Sequence, residues 1–177
     1  MAKKPLKILI IAPSWVGDMV MSQTLLNELK SKYGDETVID VLVNSWAKDV
    51  VKRMPEVNQV HCNPFAHGEL GLLKRFQLGR QLASFAYDQA YVLPNSLKSA
   101  LVPFFARIRA RIGFVGEMRY GLLNTAYKLD KTKLPLMIDR FCALANNGQK
   151  PEKPDYPSFT ADLINQANIL KSVGLSL

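Results

Sequence analysis

The stretch KILIIAPSWVGDMVMSQTLLNEL, Lys7 to Leu29, limits the fold of this chain more than any other segment. Lys7 to Ala12 is apolar after its first residue and reads as a strand covered on both faces. The chain then turns through APSWVGD into a segment carrying Met21, Leu25, Leu29 and Tyr33 at helical spacing, with Lys30, Lys32 and Gly34 as its closing signals. A buried strand that runs straight into an amphipathic helix is how nucleotide-binding α/β domains begin. The Gly-x-Gly-x-x-Gly fingerprint that would cradle a pyrophosphate is absent after it, and an aspartate stands there instead.

The same alternation continues. TVIDVLVN is a β-branched second strand, WAKDVVKRM a short helix closed by Pro55, and VNQVHCN a third strand ended by Pro64. A helix is expected from about Leu70 to Phe85, a fourth strand in YDQAYVLPN, a helix in SLKSALVPFFARI that Pro103 would kink or divide, and a fifth strand in ARIGFVG. After Gly121 the pattern weakens to one helix near Leu136 to Asn146, followed by the Pro- and Lys-rich GQKPEKPDYPSF and a last helical piece. Strands alternating with helices imply an α/β fold, a parallel sheet with flanking helices. One domain over residues 1–150 is expected, with 151–177 as linker and the start of a further unit, so that the sequence stops at or near a domain boundary.

A net charge of +8 on 177 residues favours anionic partners without choosing among them. Nucleic acid is set aside, because neither helix-turn-helix nor RNP-like signals accompany the charge. Cys62 and Cys142 are far apart and read as buried small hydrophobes in a reducing cytosol. The N-terminal apolar run is stopped by Pro13 well short of a membrane span, so a cytoplasmic protein is expected. His61 falls in the third strand and His67 in a loop, and no carboxylate or histidine spacing suggests a metal site.

In open parallel sheets ligands sit beyond the carboxyl ends of the strands, which directs attention to APSWVGD, LPNSLKS and GFVGEMRYG. Asp18 has two compatible roles: N-cap of the first helix, or general base at the mouth of the sheet, where the helix N-terminus favours the carboxylate and the proton would move late. Gly17 reads as a turn residue needing positive φ or as a point where a ligand approaches the backbone. Trp15 is an exposed edge of the core or an aromatic platform, and Ser14 lies beside it. Asn95, Ser96 and Lys98 open a helix whose free N–H groups favour phosphate or carboxylate, with Arg119 and Tyr120 near enough in the next loop to join them.

Taken together, ILIIAPSWVGDMVMSQTLL, MPEVNQV, YDQAYVLPNSLKSALVPFFARI, RIGFVGEMRYGLLN and LPLMIDRF resemble the first half of the ADP-heptose:lipopolysaccharide heptosyltransferases, most closely heptosyltransferase II. The resemblance runs in order from about Lys7 to Ala145 and implies the N-terminal, Rossmann-like domain of a two-domain GT-B glycosyltransferase. It further implies that this half receives the acceptor, a heptosyl-Kdo-lipid A, while the nucleotide sugar ADP-heptose is held mainly by a second domain. ADP-heptose would be the donor substrate, and no cofactor is required. Asp18 maps onto the family's proposed base for a single inverting displacement. Lys98 and Arg119 become candidates for gripping Kdo carboxylates or lipid A phosphates, with Asn95 and Ser96 as hydrogen-bond partners, and other basic residues for peripheral contact with the inner membrane. Alone, such a half is expected to transfer little or nothing. The competing expectations are a non-catalytic module that binds an anionic glycolipid or nucleotide, and a nucleotide-sugar epimerase, which would want the missing Gly-rich loop.

Overall fold

The computed structural model describes residues 4–65, 68–160 and 163–174. His67 lies outside the described residues. Six parallel strands form one sheet in the order β3-β2-β1-β4-β5-β6: β1 (Lys7–Ile11), β2 (Val38–Asn44), β3 (Gln59–Asn63), β4 (Gln89–Val92), β5 (Ala110–Phe114) and β6 (Thr125–Tyr127). This is the doubly wound order, in which the chain reverses its direction of travel between β1 and β4 and leaves a crevice at their carboxyl ends. The helices are α1 (Val16–Tyr33), α2 (Lys48–Val51), α3 (Leu72–Leu82), α4 (Leu97–Phe105), α5 (Met137–Ala145) and α6 (Leu163–Ser172).

The apolar run of β1 divides by parity. Ile8 and Ile10 pack with Met19, Leu25 and Leu29 of α1 and with Phe141 and Leu144 of α5. Leu9 and Ile11 pack with Leu82 of α3 and with Ala100 and Val102 of α4. Period-2 alternation thus feeds two cores, one on each face, which is why a central strand can be apolar throughout. The fifth strand in the sheet order, β5, and its neighbour β4 are set beside β1 by the same register, with Ile10 opposite Tyr91 and Tyr91 opposite Ile112.

Three departures from the sequence expectation have physical causes. β6 is absent from it because its three residues are only partly covered and offer no apolar run. Pro103 lies inside α4 without dividing it. Cys62 is exposed on the edge strand β3, whereas Cys142 is buried as expected. Residues 151–160 carry no helix or strand, yet they are fastened down: Ser158 exchanges two hydrogen bonds with the fully buried amide of Gln23, at 2.5 and 2.9 Å, and Thr160 donates to Arg53 O from both N and Oγ1. Among the described residues no helix is long and apolar enough to cross a membrane.

Candidate active site

The carboxyl edge of the sheet is built by the loops after β1, β4 and β5. Ladder-like bonds continue past the strands, Leu93 N to Ile11 O at 3.1 Å and Ala12 N to Leu42 O at 3.0 Å, and hold the first two loops side by side. Pro13 is buried and Ser14 exposed, after which Trp15, with extended φ −99 and ψ 140, caps α1 by its backbone and makes no side-chain cap bond. Asp18 is therefore not the N-cap; it is the third residue of the first helical turn. Helix formation begins earlier than the Asp preference suggests, because the extended Trp15 already supplies the carbonyl that Met19 N donates to, at 2.9 Å.

The consequence is a half-buried carboxylate with no hydrogen-bond or ion-pair partner among the described residues. Beside it, Gly17 is helical rather than a positive-φ turn glycine, and a Cβ placed on it would meet no atom within 4 Å. Trp15 is 75% exposed, which removes the core-edge reading of its ring. Asp18 thus sits, partly exposed and unpaired, next to a residue that carries no side chain, at the carboxyl edge of the sheet. A carboxylate so placed can accept a proton from a hydroxyl group brought to that edge.

The second cluster is assembled as the sequence suggests, but its parts do different work. Arg119 is 2% exposed. Its guanidinium donates to Phe114 O through Nε and Nη2, to Pro94 O, Ser96 O and Ser99 Oγ through Nη1, and to Asn95 Oδ1 through Nη2, at 2.5 to 3.3 Å. An arginine has five N–H groups, and six hydrogen bonds to five acceptor atoms here use all of them. Burial pushes the guanidinium down to about 10, the charge of Glu117 opposing the shift, so it stays protonated near neutral pH. Arg119 ties the loop after β5 to the loop after β4; it has no donor left for an acceptor anion.

The N-terminus of α4 is likewise occupied. Glu117 Oε2 accepts from Leu97 N at 2.8 Å, so the protein's own carboxylate sits where an incoming anion was expected. Gly116 permits the approach: a Cβ there would lie 2.7 Å from Asn95 O. Ser96 serves through its carbonyl, and Lys98 is half-buried, with its own carbonyl accepting from the buried Arg75. The Lys98 ammonium makes no bond among the described residues and is the cation still open to a ligand at this edge. A depression lined by Asp88, Gln89, Arg109, Asn124 and Thr125 lies at the amino ends of the strands, the opposite edge from Asp18.

A family model described as glycosyltransferase family 9 (heptosyltransferase) matches residues 75–171, more than half of the chain. The chain belongs to this family. Lipopolysaccharide heptosyltransferase 2 of Salmonella typhimurium is 54% identical over 140 residues, which cover 79% of this chain and 40% of that protein; its Escherichia coli counterpart gives the same figures. The solved structure of E. coli ADP-heptose LPS heptosyltransferase II superposes with a TM-score of 0.85 at 41% identity, over 97% of this chain and 51% of that one. The chain thus spans about half, or somewhat less, of the family 9 proteins it matches. Glu117 is the residue at this family 9 edge that sequence reasoning missed. Its only signal was a lone acidic residue closing a stretch, from Gln89 to Gly116, without one.

Proposed function

We propose that this chain is the acceptor-binding half of a glycosyltransferase that moves L-glycero-D-manno-heptose from ADP-heptose to a heptosyl-Kdo-lipid A inner core, with residues 1–150 as the acceptor domain and 151–177 leading to the donor domain. The observation that carries it is Asp18: an unpaired carboxylate, at the carboxyl edge, next to the side-chain-free Gly17. In the proposed step the acceptor hydroxyl oxygen bonds to the anomeric carbon as the bond to ADP breaks and ADP leaves with the electron pair. Asp18 takes the hydroxyl proton, in the manner of the base of an inverting hydrolase with a sugar hydroxyl in place of water. Ser14, Trp15 and the Gly17 backbone would line the acceptor sugar, Lys98 would meet one of its anionic groups, and Asn95 and Ser96, held by Arg119, would shape the loop beside it. The reading assigns no cofactor.

Calorimetric titration of the chain with a delipidated heptosyl-Kdo acceptor and, in parallel, with ADP-heptose tests the assignment. Acceptor binding that weakens with salt, and little donor affinity, is expected. Donor binding without acceptor binding overturns it. In a protein carrying the donor domain as well, Asp18→Asn should lower turnover by roughly 10²–10⁴-fold while sparing acceptor affinity.

A further inference from the structure

The charge of this chain is not spread evenly. Residues 70–116 contain seven basic residues and one acidic one, Asp88, and so carry six of the eight net positive charges. That stretch is folded as α3, β4, α4 and β5, and its two helices pack together on one face of the sheet. The packing is close: a Cβ on Gly79 would fall 2.6 Å from Phe105 Cβ and 2.9 Å from Val102 O, so α3 and α4 form one continuous surface.

The outward side of that surface is apolar where a solvated helix pair should be polar. Leu70, Leu72, Leu73, Phe76 and Phe104 are 41–68% exposed. Phe76 and Phe104 both meet Phe105 edge to face, at 5.4 and 5.7 Å between ring centres. Phe76, Phe104 and Phe105 line an open depression together with Arg80, Arg107 and Arg109. Arg111 stacks over the Phe104 ring at 5.5 Å. Soluble proteins seldom leave leucine and phenylalanine exposed in one contiguous group.

We propose that the outer face of α3 and α4 is a docking surface for the anionic headgroup layer of a lipid bilayer. Leucine and phenylalanine side chains that enter the headgroup boundary, with Arg80, Arg107, Arg109 and Arg111 beside the phenylalanines and with the Glu69 carboxylate already paired to Lys74 at 2.7 Å, are what such a layer binds: the apolar groups leave water and the arginines meet anionic lipid. Charge alone would equally suit a nucleic acid, but exposed leucines gain nothing from a phosphate backbone. Leu70, Leu72 and Leu73 lie at the start of α3, toward the carboxyl edge of the sheet, and Arg80, Arg107 and Arg109 lie at the far ends of the two helices, toward the amino edge, so the face runs the full height of the sheet. The surface stands on its own observations and not on the transfer reaction, and it is tested without donor or acceptor, so that failure of one leaves the other intact.

The test is co-sedimentation of the chain with vesicles of phosphatidylglycerol and phosphatidylcholine, against phosphatidylcholine alone and against a duplex DNA oligonucleotide. Binding to the anionic vesicles, weakened by salt and absent on neutral ones, is expected. Arg80→Glu, Arg107→Glu and Arg109→Glu together should reduce partitioning at least tenfold. Leu72→Ser with Leu73→Ser, both exposed and thus without a folding role, should reduce it several-fold at unchanged charge. Reversing Lys128, Lys131 and Lys133 in the exposed loop after β6 alters net charge equally and should leave most of the binding. Thermal melts confirm that each variant is folded. No vesicle binding, equal losses in the two charge-reversed variants, or DNA binding as tight as vesicle binding with no effect of the leucine changes would each overturn the proposal.

Discussion

Glu117 Oε2 lies 2.8 Å from Leu97 N, so a carboxylate twenty residues further along the chain caps helix α4. It does so from an unusual turn. Arg119 N bonds Gly116 O at 3.1 Å, and the two residues between, Glu117 and Met118, both have positive φ, 41 and 49. Two consecutive left-handed residues define a type I′ turn, which normally takes Asn and Gly. Here the strain is held by the Glu117 cap on one side and the buried Arg119 on the other.

Met118 pays that backbone cost for no packing, since its side chain is 83% exposed. Met118→Asn should therefore stabilise the fold by about 0.5–1 kcal/mol, because Asn tolerates the left-handed region. Glu117→Ala should cost about 1 kcal/mol through loss of the cap. Urea midpoints of the two variants moving in the same direction would count against this account of the turn.

Gly17 should separate stability from function. Its backbone is helical and its Cβ position is empty, so Gly17→Ala should stabilise α1 by up to about 1 kcal/mol. The same methyl group enters the open space at Gly17, next to Asp18, and should weaken acceptor binding measured by calorimetry. Higher thermal stability with unchanged acceptor affinity would mean that nothing approaches α1 there.

How much of this was legible follows from what each element buries. Strands β1, β2, β4 and β5 are readable because each carries an apolar or β-branched run, and β3 by the valines of VNQVHCN ahead of Pro64, whereas Thr125, Ala126 and Tyr127 of β6 are recruited by β5, through Ile112 opposite Thr125, and have no pattern of their own. Asp18 is found by its position after the first strand, but its place in the helical turn depends on the extended backbone of Trp15, which side-chain preference cannot foresee. The role of Arg119 was misjudged for a different reason. A sequence shows that a residue is cationic, not that three carbonyls from two other segments will surround it.

Asp40 gives the fold an acid limit. It is 2% exposed in β2 and accepts from Asn58 Nδ2 at 2.8 Å and Tyr87 Oη at 2.5 Å, while His61 Nε2 lies 2.8 Å from Tyr87 Oη and 3.7 Å from Asp40 Oδ2. Burial pushes its carboxyl up, but the nearby His61 imidazole and the hydrogen bonds from Tyr87 and Asn58 together hold it below the ordinary 3.8. A group held low binds fewer protons folded than unfolded, so its contribution is complete above that ordinary value and is lost as pH falls through the lower folded one. Urea midpoints measured from about pH 5 down to about pH 2.5 should fall, and Asp40→Asn should flatten that fall. Parallel pH profiles for the two proteins would remove Asp40 as the cause.

Arg119→Lys distinguishes a clasp from an anion ligand. Lysine keeps the charge but offers three donors from one point in place of a planar fork, and cannot reach Phe114 O, Pro94 O and Asn95 Oδ1 at once. Buried carbonyls left without partners cost about 1–3 kcal/mol each, so the variant should lose roughly 2–4 kcal/mol of stability. Acceptor affinity, measured well below the lowered melting temperature, should fall only as far as the two loops loosen, and the salt dependence of binding should stay as it is, because Arg119 contributes no direct ion pair. Lys98→Met makes the opposite pattern: a half-buried side chain with no bond among the described residues can be replaced at little cost in stability, and the salt dependence should drop. If Arg119→Lys keeps full stability but abolishes the salt dependence, the guanidinium is a ligand after all and the clasp is the wrong description.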